Sequence, residues 1–97
     1  MSTLQVRWLR RSERSLEQAA DDIAESDPQA AHRLISRIRK AAEYLAAHPH
    51  LGRAGRIAGT REFIVPGTSY ILPYRVRTDH IEILHVLHGK RRCPAEL

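Results

Sequence analysis

The chain is poor in the residues that several chemistries require. It has a single cysteine, Cys93. One thiol forms no internal disulfide and completes no zinc ligand set, and it suits a reducing cytoplasm. No apolar run approaches the length of a membrane span. The first fourteen residues contain four arginines and no hydrophobic core of a leader, so no secretory signal is expected. Repeats and low-complexity tracts are absent. Aromatics make up only 5% of the chain, too few and too scattered for the interleaved stacking platform of a single-strand nucleic-acid binder. No Gly-x-Ser-x-Gly elbow, Walker loop or dinucleotide fingerprint occurs. The stretch Gly52-Arg53-Ala54-Gly55-Arg56 could offer amides and guanidiniums to an anion, but it matches neither phosphate-loop pattern and reads as a basic surface loop.

What is present is a basic, ordinary globular composition. Ninety-seven residues, 42% of them hydrophobic, suit one domain, taken as 1–97, with a modest core. The formal charge is +5 and the sequence pI about 10.1. Up to Pro49, eight Lys/Arg face seven Asp/Glu; from His50 onward, eight face four. The carboxyl half therefore carries the positive field, which suits either nucleic acid or an acidic protein segment.

Periodicity predicts the elements. Leu4, Val6 and Trp8 alternate with Gln5 and Arg7 as a short strand. Ser12 is placed to cap a helix whose stripe is Leu16, Ala19, Ala20, Ile23 and Ala24. Asp27-Pro28 restarts the helix, with aspartate capping and proline at the first position. Ala30, Ala31, Leu34, Ile35, Ile38, Ala41, Ala42 and Leu45 carry the second helix to about Ala47, where His48-Pro49 stops it. The two-to-three-residue junction predicts an antiparallel helical hairpin. His50 to Gly59 reads as a surface loop.

Three strands follow, at Thr60–Val65, Ser69–Arg77 and His80–His88, rich in Tyr, Ile and Val. Pro66-Gly67 separates the first two, and Thr78-Asp79 makes a tight hairpin between the last two. Tyr70, Leu72, Tyr74 and Val76 share one face; Ile71, Pro73, Arg75 and Arg77 share the other. Apolar residues on both faces make the last strand central. Pro73 donates no ladder hydrogen bond, so an edge, a bulge or an interrupted ladder is expected there. The fold class is α+β, in the order β-α-α-β-β-β: a small, antiparallel-rich sheet packed by an α-helical hairpin.

The candidate chemistry is limited. His48 and His50 flank a proline, and His85 and His88 are three apart on a strand; neither pair makes a metal site, and no metal or cofactor is expected. Metal-free RNA cleavage needs a base, a cation for the phosphorane and an acid. Arg61, His85, His88 and Arg91 are the candidates for a nuclease site. The same basic rim, Arg61, Arg75, Arg77, His88, Lys90, Arg91 and Arg92, could instead dock an acidic protein. Leu34, Ile38 and Leu45 could supply apolar contacts to a partner or be ordinary core.

An ordered series of motifs spans nearly the whole chain: Asp27-Pro28-x-Ala30-Ala31, His48-Pro49-x-Leu51-Gly52-Arg53, Gly59-Thr60-Arg61-Glu62, Tyr70-Ile71-Leu72-Pro73-Tyr74-Arg75-Val76, and Val86-Leu87-His88-Gly89-Lys90-Arg91. The series resembles the RelE/ParE superfamily of type II toxin–antitoxin toxins. The resemblance implies the fold just described. RelE-like members cut mRNA on the ribosome; ParE-like members poison DNA gyrase without a catalytic site. Arg91 matches a phosphate-binding arginine of the RelE-like enzymes. Their second arginine falls on Ile71, and their carboxyl-terminal tyrosine falls on Leu97. These departures, with the ending at Pro94, resemble the ParE-like branch. The resemblance therefore implies a cytoplasmic gyrase inhibitor, with mRNA cleavage as the alternative. It also implies a cognate ParD-like antitoxin with an acidic, amphipathic carboxyl segment, contact with operator DNA only through that antitoxin, and no membrane association.

Overall fold

The computed structural model of the chain describes residues 3–89. Its elements are β1 (Gln5–Trp8), α1 (Arg10–Ala24), α2 (Pro28–Ala47), β2 (Arg53–Ala54), β3 (Arg61–Ile64), β4 (Tyr70–Val76), β5 (His80–Ile83) and β6 (Leu87–His88). Among the described residues they form one mixed sheet of order β1-β5-β4-β3-β2, with β6 also paired to β4. Among the described residues, no helix is long and apolar enough to cross a membrane. This is the expected α+β arrangement of a helical hairpin on a small sheet, with two additions. β1 runs parallel to β5 (Val6 opposite Ile81, Trp8 opposite Ile83). The loop after α2 contributes β2, which pairs with Arg61 and Glu62.

The helices begin for different reasons. Asp27 caps α2: its carboxylate accepts from Ala30 N–H at 3.1 Å, and Pro28 occupies the first turn. Ser12 does not cap α1. Leu9 is the extended N-cap residue, and the helix starts at Arg10. Ser12 is buried inside the first turn, and its hydroxyl donates back to Leu9 O at 2.7 Å. The arginines preceding Ser12 are good helix formers, so the helix extends back to Arg10 without a side-chain cap at Leu9.

One face of the sheet takes the hairpin. Leu16 and Ala19 of α1 and Leu34, Ile38, Ala42 and Leu45 of α2 pack on Leu72 and Tyr74 of β4, Ile81 and Ile83 of β5, and Val65. Cross-strand pairs confirm that these residues share a face: Phe63 opposes Leu72, Tyr74 opposes Ile83, and Val76 opposes Ile81. Many helical contacts are alanine, so the helices lie close to the strands. The other face carries Glu62, Ile64, Ile71, Pro73, Arg75 and Glu82, paired Glu62–Pro73, Ile64–Ile71 and Arg75–Glu82.

Pro73 sits inside β4, between β3 and the β5–β6 segment, and the ladder is interrupted there. Ile83 faces Tyr74 and Leu87 faces Ile71. Three residues, Leu84 to Val86, thus oppose two, Leu72 and Pro73: a β-bulge. Pro73 lacks an N–H, but its carbonyl accepts from Leu84 N–H at 2.9 Å. The bulge also reverses the alternation beyond it. Ile83 and His88, five residues apart, both face the helices, since His88 pairs with Tyr70.

Candidate functional site

A groove of about 520 Å³ runs between α2 and the free edge of β3. Its α2 wall is Arg37, Lys40, Ala41 and Tyr44, on one helical face by their three- and four-residue spacing. Its sheet wall is Phe63, Val65 and Pro66. Ala41 leaves the groove deep enough to have a floor. Pro66 ends the strand and has no N–H to offer a neighbour. β2 pairs only with Arg61 and Glu62, so Ile64 lies beyond it on the sheet edge. Tyr44 is 54% exposed and Ile64 53%, large side chains left in solvent. The Tyr44 ring rests on His48, centroids 4.5 Å apart. Two cations and no carboxylate line the groove.

Arg37 also borders a second, more polar cleft, lined by Arg33, Arg37, Thr68, Ser69, Tyr70 and His88 with Asp22 opposite. The Pro66–Thr68 turn sets the position of Arg37. Gly67 adopts a positive φ of 75°, and its carbonyl accepts from Arg37 Nη1 at 3.4 Å. A side chain at Gly67 would strike that guanidinium.

The candidate nuclease groups occupy different environments. Arg61 Nη1 donates to Gly52 O at 2.7 Å and His50 O at 3.2 Å, holding down the loop after α2. Tyr74 completes this clamp. Its buried hydroxyl donates to Pro49 O and accepts from Gly52 N–H, both at 2.8 Å. Burial raises the Tyr74 pKa, opposed by the Gly52 bond and the Arg61 charge. His85 lies in the bulge, where Val86 N–H donates to its Nδ1 at 2.8 Å and to Ser15 Oγ at 2.9 Å. Burial lowers the His85 pKa below its ordinary value; the approach of Nδ1 to Val86 O at 3.1 Å opposes this and the Arg11 charge adds to it. A neutral imidazole is the result at pH 7. His88 stands edge-on to Tyr70, centroids 5.1 Å apart, on the helix face. Arg61 pairs with Tyr74 and His88 with Tyr70, on opposite sides of β4. Four residues of strand separate those positions, on the order of 13 Å. Arg91, with Lys90 and Arg92, lies outside the described residues, as do Cys93, Pro94 and Leu97.

The remaining expected contact residues divide. Arg75 and Arg77 share Glu82 Oε1, at 3.5 and 3.4 Å. His80 reaches Glu82 at 3.3 Å and Asp79 at 2.7 Å. Its ring hydrogen bonds are the main cause that lowers both carboxyl pKa values. Ile38 and Leu45 have no accessible surface and Leu34 only 7%. Ile38 and Leu45 are therefore core residues that no partner can touch without unfolding the hairpin, and Leu34 shows only an edge at the polar cleft. The exposed residues of that helix that line the groove are Arg37, Lys40 and Tyr44, off the apolar stripe. The sequence signal for them is a basic pair followed by an aromatic at helical spacing, which becomes meaningful only once β3 lies alongside.

Comparison with known proteins agrees with this architecture. Residues 6–93 match the family described as the ParE toxin of the type II toxin–antitoxin system parDE. The chain is 41% identical over its full length to Y4kP, a candidate toxin of Sinorhizobium fredii, whose full length is also covered. It is 31% identical over 87 residues to toxin RelE2 of Caulobacter vibrioides, covering 90% of this chain and 97% of that one. In fold it superposes on a chain of the chromosomal ParDE system of P. aeruginosa with a TM-score of 0.82 at 21% identity, over 91% of this chain and 98% of that one. A chain of the RelBE2 toxin–antitoxin complex of Mycobacterium tuberculosis gives a TM-score of 0.66 at 22% identity, over 91% and 93% of the two chains. The helical hairpin on its mixed sheet, together with a family match spanning almost the whole chain, establishes that this protein belongs to the ParE toxin family of type II toxin–antitoxin systems.

Proposed function

We propose that the protein inhibits DNA gyrase by binding it, and that a cognate ParD-like antitoxin neutralises it. The observation that carries its neutralisation by an antitoxin is the groove between α2 and β3. It joins an apolar floor to a rim of Arg37 and Lys40 with no lining acid. An amphipathic segment seats its apolar side chains on Phe63 and the Tyr44 ring and its carboxylates on the two cations. Arg77 and the basic residues from His88 onward add to the field that steers an acidic partner. Operator DNA is reached only through the antitoxin, and the site of action is the cytoplasm. The spread of Arg61, His85 and His88 over different contacts also favours binding over catalysis, because a phosphorane needs its donors converged on one point.

Purified toxin should block supercoiling by gyrase, and the antitoxin expressed from the neighbouring gene should restore it. Supercoiling unaffected at micromolar toxin would overturn the reading. Arg37→Glu with Lys40→Glu should weaken antitoxin capture on the order of 10–100-fold.

The likeness to toxin RelE2 favours a second reading, ribosome-dependent mRNA cleavage. Translating ribosomes would then yield cut messages, and His88→Ala or Arg91→Ala would abolish the cuts. Intact messages would eliminate it.

A further inference from the structure

On the face of the sheet turned away from the hairpin lies another cleft, of about 300 Å³. The first turn of α1, the turn at residues 57–60, and the β4–β5 strands enclose it. Leu9, Ile57 and Leu84 give it an aliphatic lining, and Arg11 and Arg75 are the charged residues that line it; no carboxylate does. Alternation along the strands places Arg75, Thr60 and Leu84 on this face.

The walls are fixed before any partner arrives. Thr60 donates to Ile57 O through both its hydroxyl, at 2.6 Å, and its N–H, at 3.1 Å. Leu84 N–H donates to Pro73 O at 2.9 Å and Leu9 N–H to Ile83 O at 3.2 Å. A rigid pocket spends little ordering entropy on binding. Ile57 is nevertheless 37% exposed, an apolar group awaiting cover.

The charge is only partly compensated. Arg75 shares the single carboxylate of Glu82 with Arg77 and His80. Arg11 makes no ion pair with any described residue. A cationic pair on an aliphatic pocket complements an acidic protein surface that projects an aliphatic side chain. It complements nucleic acid poorly, since no aromatic lines it to stack a base.

We infer that this cleft is the surface by which the toxin holds its target protein, separate from the groove assigned to the antitoxin. The inference rests on the reading of the protein as a gyrase-binding toxin. The target seats an aliphatic side chain between Ile57 and Leu84, with flanking carboxylates on Arg11 and Arg75. Toxin and antitoxin complexes then form on opposite sides of one sheet.

The test compares full-length wild type with Arg11→Glu, Ile57→Ser and the double variant Arg11→Glu/Arg75→Glu. Each is assayed for affinity to purified gyrase, inhibition of supercoiling, affinity for the antitoxin expressed from the neighbouring gene, and far-UV circular dichroism. The expected result is loss of gyrase affinity and inhibition, on the order of 10-fold for each single variant and 100-fold for the double, with antitoxin affinity unchanged within about twofold. Antitoxin binding shows that a variant is folded. Should Arg75→Glu unfold the double variant by repelling Glu82, the Arg11 and Ile57 variants decide. Wild-type inhibition by folded variants overturns the cleft and leaves the gyrase reading standing. Loss of antitoxin affinity with a native spectrum overturns it in favour of an antitoxin seat. Wild type that ignores gyrase and cuts messages, with the Arg11 variant defective in cutting, overturns both readings and makes the cleft an RNA contact.

Discussion

Replacing Tyr74 by phenylalanine removes one oxygen and tests how the loop after α2 is held. The ring is fully buried and stays in place, so no cavity opens beyond the missing atom. Two hydrogen bonds are lost, one to Pro49 O and one from Gly52 N–H. Gly52 is itself buried, so its N–H is stranded without an acceptor. A net hydrogen bond contributes about 1 kcal/mol, and a stranded buried donor costs ~1–3 kcal/mol. Together they predict a loss of about 2–4 kcal/mol. At ~4–8 °C per kcal/mol for a domain of this size, the thermal midpoint should fall by roughly 10–30 °C. Arg61 still reaches the His50 and Gly52 carbonyls, so the loop loosens rather than detaches. Urea and thermal unfolding give the magnitude, and hydrogen exchange at the Gly52 amide gives the place. The change also has a pH signature. Burial raises the folded phenol's pKa above its ordinary 10.0. The unfolded phenol ionises first, so this contribution is complete below pH 10 and fades as pH rises through the folded value. Tyr74→Phe should lose that alkaline slope. A stability change under about 0.5 kcal/mol with Gly52 still protected would refute the clamp.

Gly52→Ala attacks the same clamp sterically: its Cβ would lie 2.6 Å from Tyr74 Oη and 2.9 Å from Glu62 O, and the latter is backbone that cannot yield. A loss of about 1–3 kcal/mol in urea unfolding is expected. Asp27→Ala should cost about 1 kcal/mol by removing the cap on Ala30 N–H, measured the same way, with Pro28 still present to start the helix. His85 contributes stability that is complete above its ordinary 6.5 and is lost as pH falls toward its lowered folded value, because the unfolded ring takes up the proton first. His85→Gln should therefore flatten the stability profile between pH 7 and pH 5, and an unchanged acid slope would contradict this account of its burial. Glu13→Ala breaks an ion pair to Arg39 at 2.9 Å whose partners are 42% and 45% exposed, so only ~0.2–1 kcal/mol should be lost.

The boundaries of α2 were legible because two local signals coincide there, the Asp27-Pro28 start and the His48-Pro49 stop, each acting within one turn of chain. The two faces of β4 were legible for the same reason, since side-chain alternation is a property of the strand alone. Ser12 misleads because a serine just ahead of an apolar stripe has the composition of a cap. The extended backbone at Leu9 already ends the preceding strand, and the helix takes Arg10 and Arg11 before the stripe begins. β2 is two residues long, below any periodic signal, and exists only because Glu62 and Arg61 lie opposite it. The buried Glu62 is of the same kind. Its carboxylate accepts from Arg56 N–H at 3.2 Å and faces Arg53 at 3.8 Å, partners supplied by a loop that reads as merely basic.

The sequence alone determined the α+β order, the helical hairpin, the clash at Pro73 and the surplus of positive charge, because each arises from neighbours within a few residues or from simple counting. Only the tertiary structure decided that β1 runs parallel to β5, that three residues bulge opposite Pro73 and turn His88 toward the helices, and that α2 meets the free edge of β3 to form a groove. These depend on contacts between segments tens of residues apart. Such contacts are chosen by how apolar surface is shared among all the elements at once, and no local pattern contains that choice.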